Sequence, residues 1–141
     1  MIYKGSCNCN RWQVEVEATK PMGDFNPRSC DCDYCKNSPS EIISDPNMRV
    51  DLVGGEIAIN KNGDQLANFY CCDSCGDLLA VGRDFNNQLH GAVNANLLHD
   101  SGQLGQVIAI QPRLLSIDEK LDRWQRLWGQ VNIYYNTQCI E

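Results

Sequence analysis

The chain has no apolar run long enough to cross a bilayer, and Tyr3, Lys4 and Ser6 interrupt any apolar stretch near Met1 that could serve as a secretory leader. A membrane partner and export are therefore not expected, and a cytoplasmic location is. Positive charge is also short: 12 Lys and Arg face 18 Asp and Glu, a formal net charge of −6. Nonspecific nucleic-acid binding draws on clustered cations that neutralise phosphates, so no nucleic-acid partner is expected. No GxSxG, Walker or GxGxxG stretch occurs, and the Gly54–Gly55 pair alone is too little for a phosphate cradle. Internal repeats, low-complexity tracts and linkers are missing too, which makes residues 1–141 one unit. His90 and His99 stand outside any metal-ligand spacing and read as ordinary polar residues.

With 43% hydrophobic and 21% charged residues, the composition excludes disorder and a collagen-like repeat. A chain of 141 residues buries only part of the surface it would expose unfolded, so a metal would help its core.

Most of the patterning is that of strands. Trp12, Val14 and Val16 alternate with Gln13, Glu15 and Glu17, the mark of a half-buried strand. Pro21, Gly23, Asn26, Pro27, Pro39 and Pro46 punctuate a loop region. Arg49 to Asn60 reads as two short strands about a glycine turn, with a further turn at Asn62–Gly63. Leu66 to Tyr70 reads as a strand that delivers Cys72 and Cys75, and Leu78 to Val81 with Leu89 to Val93 reads as a hairpin. One helix is signalled: Ser116 and Glu119 have capping-box spacing, and Ile117, Leu121, Trp124, Trp128 and Val131 follow at intervals of three or four. Its tryptophans are expected to pack against the sheets rather than to form a ligand platform. The expected class is mostly β with one C-terminal helix.

Against these absences stand nine cysteines. Their odd number, without a secretory leader, favours metal ligation over a disulfide framework. Seven fall into three groups: Cys7 and Cys9 as CxC; Cys30, Cys32 and Cys35 as CxCxxC; Cys72 and Cys75 as CxxC followed by Gly76. A short turn can aim two thiolates at a zinc ion about 2.3 Å from each, and two such turns complete a tetrahedron. Cys7, Cys9, Cys72 and Cys75 are thus expected to form a closed, structural four-thiolate site. Cys30, Cys32 and Cys35 are left as three ligands with no obvious fourth, the arrangement that keeps a coordination position for water or substrate. A fourth protein ligand could close that set, with Cys71, His90, His99 and Cys139 as candidates. Cys71 would point away from its neighbour Cys72 in an extended chain and reads as a buried small residue, and Cys139 reads as a spare thiol. Two zinc ions per chain are expected.

The order CxC, CxCxxC, CxxCG, opening with Gly5, Ser6, Cys7, Asn8 and Cys9, resembles the glutathione-dependent formaldehyde-activating enzyme family, which also includes centromere protein V. The similarity spans residues 3 to 95 by motif spacing, and the Val93, Asn94, Leu97, Leu98 stretch also resembles that family. The resemblance implies a β-tent of twisted antiparallel sheets, a structural zinc on Cys7, Cys9, Cys72 and Cys75, and a catalytic zinc on Cys30, Cys32 and Cys35. It implies a carbon–sulfur lyase-type activity on S-hydroxymethylglutathione, the adduct of glutathione and formaldehyde. An open thiolate-bound zinc suits such chemistry, because it can lower a thiol's pKa or polarise an aldehyde oxygen. The chain departs from the family at Asn10, where glycine is usual, and at Lys36, Asn37, Ser38 and Pro39. The two carboxylates of glutathione would need local cations, for which Arg28, Lys36, Arg49 and Arg83 are candidates. Beside an enzyme acting on a small thiol or aldehyde stand two other readings, a zinc-stabilised binding module without catalysis and a thiolate-based zinc or redox sensor.

Overall fold

Trp12, Val14 and Val16 lie buried and Gln13, Glu15 and Glu17 exposed along one strand, because a pleated chain turns every second side chain to the same face. The computed structural model describes residues 1–30, 41–61, 66–110 and 114–135. In chain order its strands are β1 (Ile2–Ser6), β2 (Trp12–Glu17), β3 (Arg28–Cys30), β4 (Ile42–Ile43), β5 (Arg49–Gly54), β6 (Ile57–Lys61), β7 (Asn68–Cys72), β8 (Leu78–Phe85), β9 (Gln88–Asn94) and β10 (Ile108–Ile110). Helix α1 (Ile117–Leu127) precedes the last strand, β11 (Gly129–Tyr135). The protein is mostly β with a helix near its C-terminal end. No helix among the described residues is long and apolar enough to cross a membrane.

Strand β9 is the junction of the sheet. One of its edges pairs with β8 from Ala80↔Val93 to Phe85↔Gln88. Its other edge takes β11 at His90 and Gly91, then β4 at Val93 and Asn94. Two wings result: β1-β2-β5-β11 and β4-β3-β10 on one side of β9, and β8, β7 and β6 on the other. The expected antiparallel pairing holds except at β5–β11 and β3–β10, which are parallel. Parallel neighbours need a long crossover. Here the chain completes the second wing and α1 before β11 returns beside β5.

The glycine turn after β5 is a passage between wings rather than a hairpin. Gly55 and Glu56 carry the chain from β5, which pairs with β2, to β6, which pairs with β7. The turn expected at Asn62–Gly63 lies outside the described residues. The β8–β9 hairpin is longer than its hydrophobic stretches suggest, because Asn86 (φ 53°) and Asn87 (φ 66°) accept the left-handed backbone of a two-residue turn and let pairing continue to Phe85 and Gln88. Between the wings Trp12, Val14, Val50, Leu52, Leu79 and Val93 are buried together in one core.

Both halves of the capping box form at α1: Ser116 Oγ accepts the Glu119 N–H at 3.2 Å, and Glu119 Oε1 accepts the Ser116 N–H at 2.9 Å. The helix is shorter than its periodicity predicts. Trp128 is its C-cap and Val131 already belongs to β11. Gly129 is already paired with Gly91 in β11, and it lies so close to the Met48 carbonyl that no Cβ would fit there. No residue of α1 is itself buried. The helix is held through Trp124, whose ring stacks at 4.6 Å on the buried Trp128, against Ala67, Ala92 and Phe85. The tryptophans are packing residues, as their spacing suggested.

Leu52→Ala should lower unfolding free energy by about 2–5 kcal/mol, since Leu52 is fully buried and its removal leaves a cavity. Ser116→Ala should cost only about 1 kcal/mol, the value of a helix cap. Urea unfolding followed by circular dichroism checks the order; a cap loss exceeding the core loss would contradict the placement of the core.

Candidate metal centre

Each of two short turns ends a strand with a pair of cysteines. Cys7 follows β1, and the β1–β2 connection folds back so that the Cys7 N–H reaches the Trp12 carbonyl at 3.2 Å and the Asn10 N–H reaches the Cys7 carbonyl at 3.0 Å. Asn10 adopts φ 63°, a left-handed conformation open to glycine and, among residues with a side chain, best tolerated by Asn and Asp. Cys72 ends β7, and the following turn closes with the Gly76 N–H on the Cys72 carbonyl at 2.9 Å, with Gly76 at φ 79°. In both turns a left-handed residue directly follows the second cysteine.

The four sulfurs of Cys7, Cys9, Cys72 and Cys75 lie within 4.8 Å of one another. Cys9 Sγ is 3.6 Å from Cys7 Sγ and 3.6 Å from Cys72 Sγ. A disulfide needs about 2.05 Å, whereas sulfurs at the corners of a tetrahedron about 2.3 Å from a central zinc stand about 3.8 Å apart. The spacing fits the second geometry, and the cysteines are free thiols. All donors are soft sulfur, which suits zinc, copper(I) or iron and not magnesium or calcium. The cluster could hold a metal ion, and it joins the four residues that spacing had paired.

Burial and backbone N–H groups divide the thiols. Burial pushes Cys72 up to about 12, although the Cys75 and Ser74 N–H groups point at its sulfur and oppose the shift. Burial also raises Cys7, opposed by the Trp12 N–H, which lies 3.4 Å from its sulfur. Cys9 lies nearer solvent and is lowered to about 6, chiefly because the Arg11 N–H donates to it. Near neutral pH the metal-free cluster therefore carries a thiolate at Cys9 and protonated sulfurs at Cys7 and Cys72.

Cys30 ends β3, where its backbone pairs with Ile110 of β10. Cys32, Cys35, Lys36 and Cys139 lie outside the described residues. Among the other candidates for a fourth ligand, Cys71 is buried on β7 outside the four-sulfur cluster, with Asn60 Nδ2 3.8 Å from its sulfur. His90 lies edge-on to Phe85 at 6.0 Å between ring centres, and His99 is exposed. Of the candidate cations, Arg28 lines a cleft of about 280 Å³ together with Lys20, Asp24, Phe25, Asp45 and Leu127, in which Lys20 pairs with Asp45 at 3.7 Å, and the Arg28 guanidinium donates to Ser44 Oγ. Burial lowers the Arg28 pKa, with Arg123 adding repulsion. Arg49 is drawn to Asp51 at 3.3 Å, and Arg83 donates to the Leu66 carbonyl at 2.7 Å.

Sequence reasoning missed the residues that brace the cysteine turns. Asn94 is buried, accepts the Asn96 N–H and donates to the Leu78 carbonyl at 2.9 Å. The turn it caps leads to Leu98, which bridges to Gly5, and to His99, whose N–H reaches the Lys4 carbonyl. The strand before Cys7 is thereby tied to the strand after Cys75.

No family model matches the chain, and no curated protein matches it. Among solved structures the chain is similar to a Rhodobacter sphaeroides protein determined as a Northeast Structural Genomics target, at 25% identity and a TM-score of 0.57, over 76% of this chain and 99% of that one. The likeness extends to the whole of that protein, whose description assigns no activity.

Because metal binding must expel the protons of Cys7 and Cys72, zinc uptake should release protons near neutral pH. Apparent zinc affinity should then fall as pH drops from about 8 to 6. Titrations in buffers of different ionisation enthalpy check this; pH-independent affinity without proton release would contradict thiolate ligation.

Proposed function

We propose that the protein is a zinc-dependent enzyme of carbon–sulfur lyase type, acting on the adduct of a small thiol and an aldehyde, such as S-hydroxymethylglutathione. The observation that carries this reading is the convergence of Cys7, Cys9, Cys72 and Cys75. Once both cysteine pairs serve one closed centre, Cys30, Cys32 and Cys35 remain as a separate three-thiolate set. Four protein ligands suit a structural role, and three suit a site with a vacant position. A zinc ion held by the triplet would supply Lewis acidity toward an aldehyde oxygen or a lowered pKa for the substrate thiol.

The chain's own contribution is to position the substrate. In the synthetic direction the thiol loses its proton, its sulfur forms a bond to the aldehyde carbon, and the carbonyl oxygen takes up a proton to become a hydroxyl; cleavage reverses each step. Arg28, in the cleft near the start of β3, is suited to hold a carboxylate of the thiol while Leu127 covers its apolar part; Lys20 in the same cleft is engaged by Asp45 at 3.7 Å and by the Phe25 ring. The role of Cys7, Cys9, Cys72 and Cys75 is to fix β1 against β7.

One observation favours a second reading. Among the described residues the cysteine cluster is complete with four protein ligands, and such a closed site also serves a non-catalytic, zinc-stabilised binding module.

Proton exchange spectroscopy on glutathione and formaldehyde separates the two. Zinc-loaded protein should accelerate exchange between free and adduct forms above the spontaneous rate. Cys32→Ser should return exchange to that rate while a folded protein with one zinc remains. Acceleration that survives Cys32→Ser would contradict a working triplet, and its absence in the zinc-loaded wild type would favour the binding module or a different thiol and aldehyde.

A further inference from the structure

The cysteine turns touch through more than their sulfurs. Asn8, between Cys7 and Cys9, donates its backbone N–H to Asp77 Oδ2 at 2.8 Å and its side-chain amide to Asp77 Oδ1 at 3.2 Å. Asp77 also belongs to the other turn, because its carbonyl accepts the Cys72 N–H at 2.9 Å. One residue therefore closes the CxxC turn with its backbone and grips the CxC turn with its carboxylate. On the interior side the Glu56 carbonyl accepts both the Trp12 indole N–H at 2.8 Å and the Asp73 N–H at 3.3 Å. Trp12 is fully buried, so its indole can act as a fixed strut. The two turns are thus tied on both flanks of the sulfur cluster by bonds that involve no sulfur.

We infer that Asp77 is a positioning residue: its two bonds to Asn8, backed by the Glu56 carbonyl on the opposite flank, hold the CxC turn against the CxxC turn so that the four-sulfur site is formed before metal enters and opens slowly once metal is bound. This inference rests on the reading of the cluster as a metal centre. Its physical basis is preorganisation. A ligand set already at its bound geometry spends less ordering entropy when the ion arrives, and both turns must separate before the ion can leave. Charge alone would act the other way, since a carboxylate beside four thiolates repels them. Geometry and charge therefore predict opposite effects of removing Asp77.

Three full-length variants distinguish them. Asp77→Ala deletes both bonds, Asn8→Ala deletes only the side-chain bond, and Asp77→Asn keeps two bonds, with its carbonyl accepting the Asn8 N–H and its amide pairing with that of Asn8. Zinc release into a chromogenic chelator should be about tenfold faster in Asp77→Ala than in wild type, comparable to losing one charge-assisted hydrogen bond. Asn8→Ala should accelerate release about threefold and Asp77→Asn by less than about twofold. Cobalt(II)-loaded Asp77→Ala should show weakened sulfur-to-metal charge-transfer absorption, recovered in Asp77→Asn. Release from Asp77→Ala at or below the wild-type rate would overturn the inference, as would Asp77→Asn behaving like Asp77→Ala. Should Asp77→Ala not fold, Asn8→Ala and Asp77→Asn still decide the matter. A wild-type protein without a four-thiolate cobalt spectrum would overturn the metal-centre reading and this inference with it, whereas normal wild-type loading with unchanged variant kinetics would overturn the positioning role alone.

Discussion

Four thiol groups from turns separated by 63 residues in sequence share a space that a single tetrahedral cation would fill. Much of the architecture follows from bringing them there. Cys7 has to leave β1 where Cys72 leaves β7, although those strands belong to opposite wings and do not pair with each other. The connection through Gly55 and Glu56, the Asn94-capped turn and the buried Trp12 each bind one wing to the other near this point. A metal there would close a long loop of chain, which constrains the unfolded state most when the loop is long. Burial raises the Cys7 and Cys72 thiols while the Arg11 N–H lowers Cys9, and a cation among them would favour the thiolate form of them all.

What could be read in the sequence was what has a local signature. The alternation at Trp12 to Glu17, the capping box at Ser116 and Glu119, and the CxC and CxxC motifs each depend on residues a few positions apart, and the need of one zinc for two cysteine pairs joined the two motifs across the chain. Strand β1 escaped notice because Lys4, Gly5 and Ser6 neither alternate nor favour strands; its pairing with β2 makes it one. The helix was read too long because Trp128 and Val131 continue its spacing, whereas the long-range pairing of Gly129 with Gly91 already places the chain in β11. The parallel ladders of β11 with β5 and β10 with β3, and the grip of Asp77 on Asn8 across 69 residues, are products of the whole topology and leave no short-range pattern.

The two proposed metal sites divide the protein's work. The closed cluster, with a metal bound, would fix the relation between the wings and offer no vacant position. In this reading chemistry would fall to the triplet, of which Cys30 stands at the end of β3. The cleft at the start of β3 sets Arg28 and Lys20 beside Asp24 and Asp45, with Lys20 paired to Asp45 at 3.7 Å, so Arg28 is its candidate contact for a small anionic thiol. The similarity to the Rhodobacter sphaeroides protein extends along nearly its entire length, so the scaffold recurs at 25% identity. A scaffold alone does not fix a reaction, and the functional reading therefore rests on the division of cysteines.

Zinc-edge X-ray absorption on the Cys30→Ser, Cys32→Ser, Cys35→Ser triple variant isolates the central claim, because it leaves the four-cysteine cluster as the metal site seen among the described residues. The account predicts one zinc per chain surrounded by four sulfurs at about 2.3 Å. A first shell containing nitrogen or oxygen, or a protein that folds with its cysteines oxidised and takes up no zinc, would contradict it.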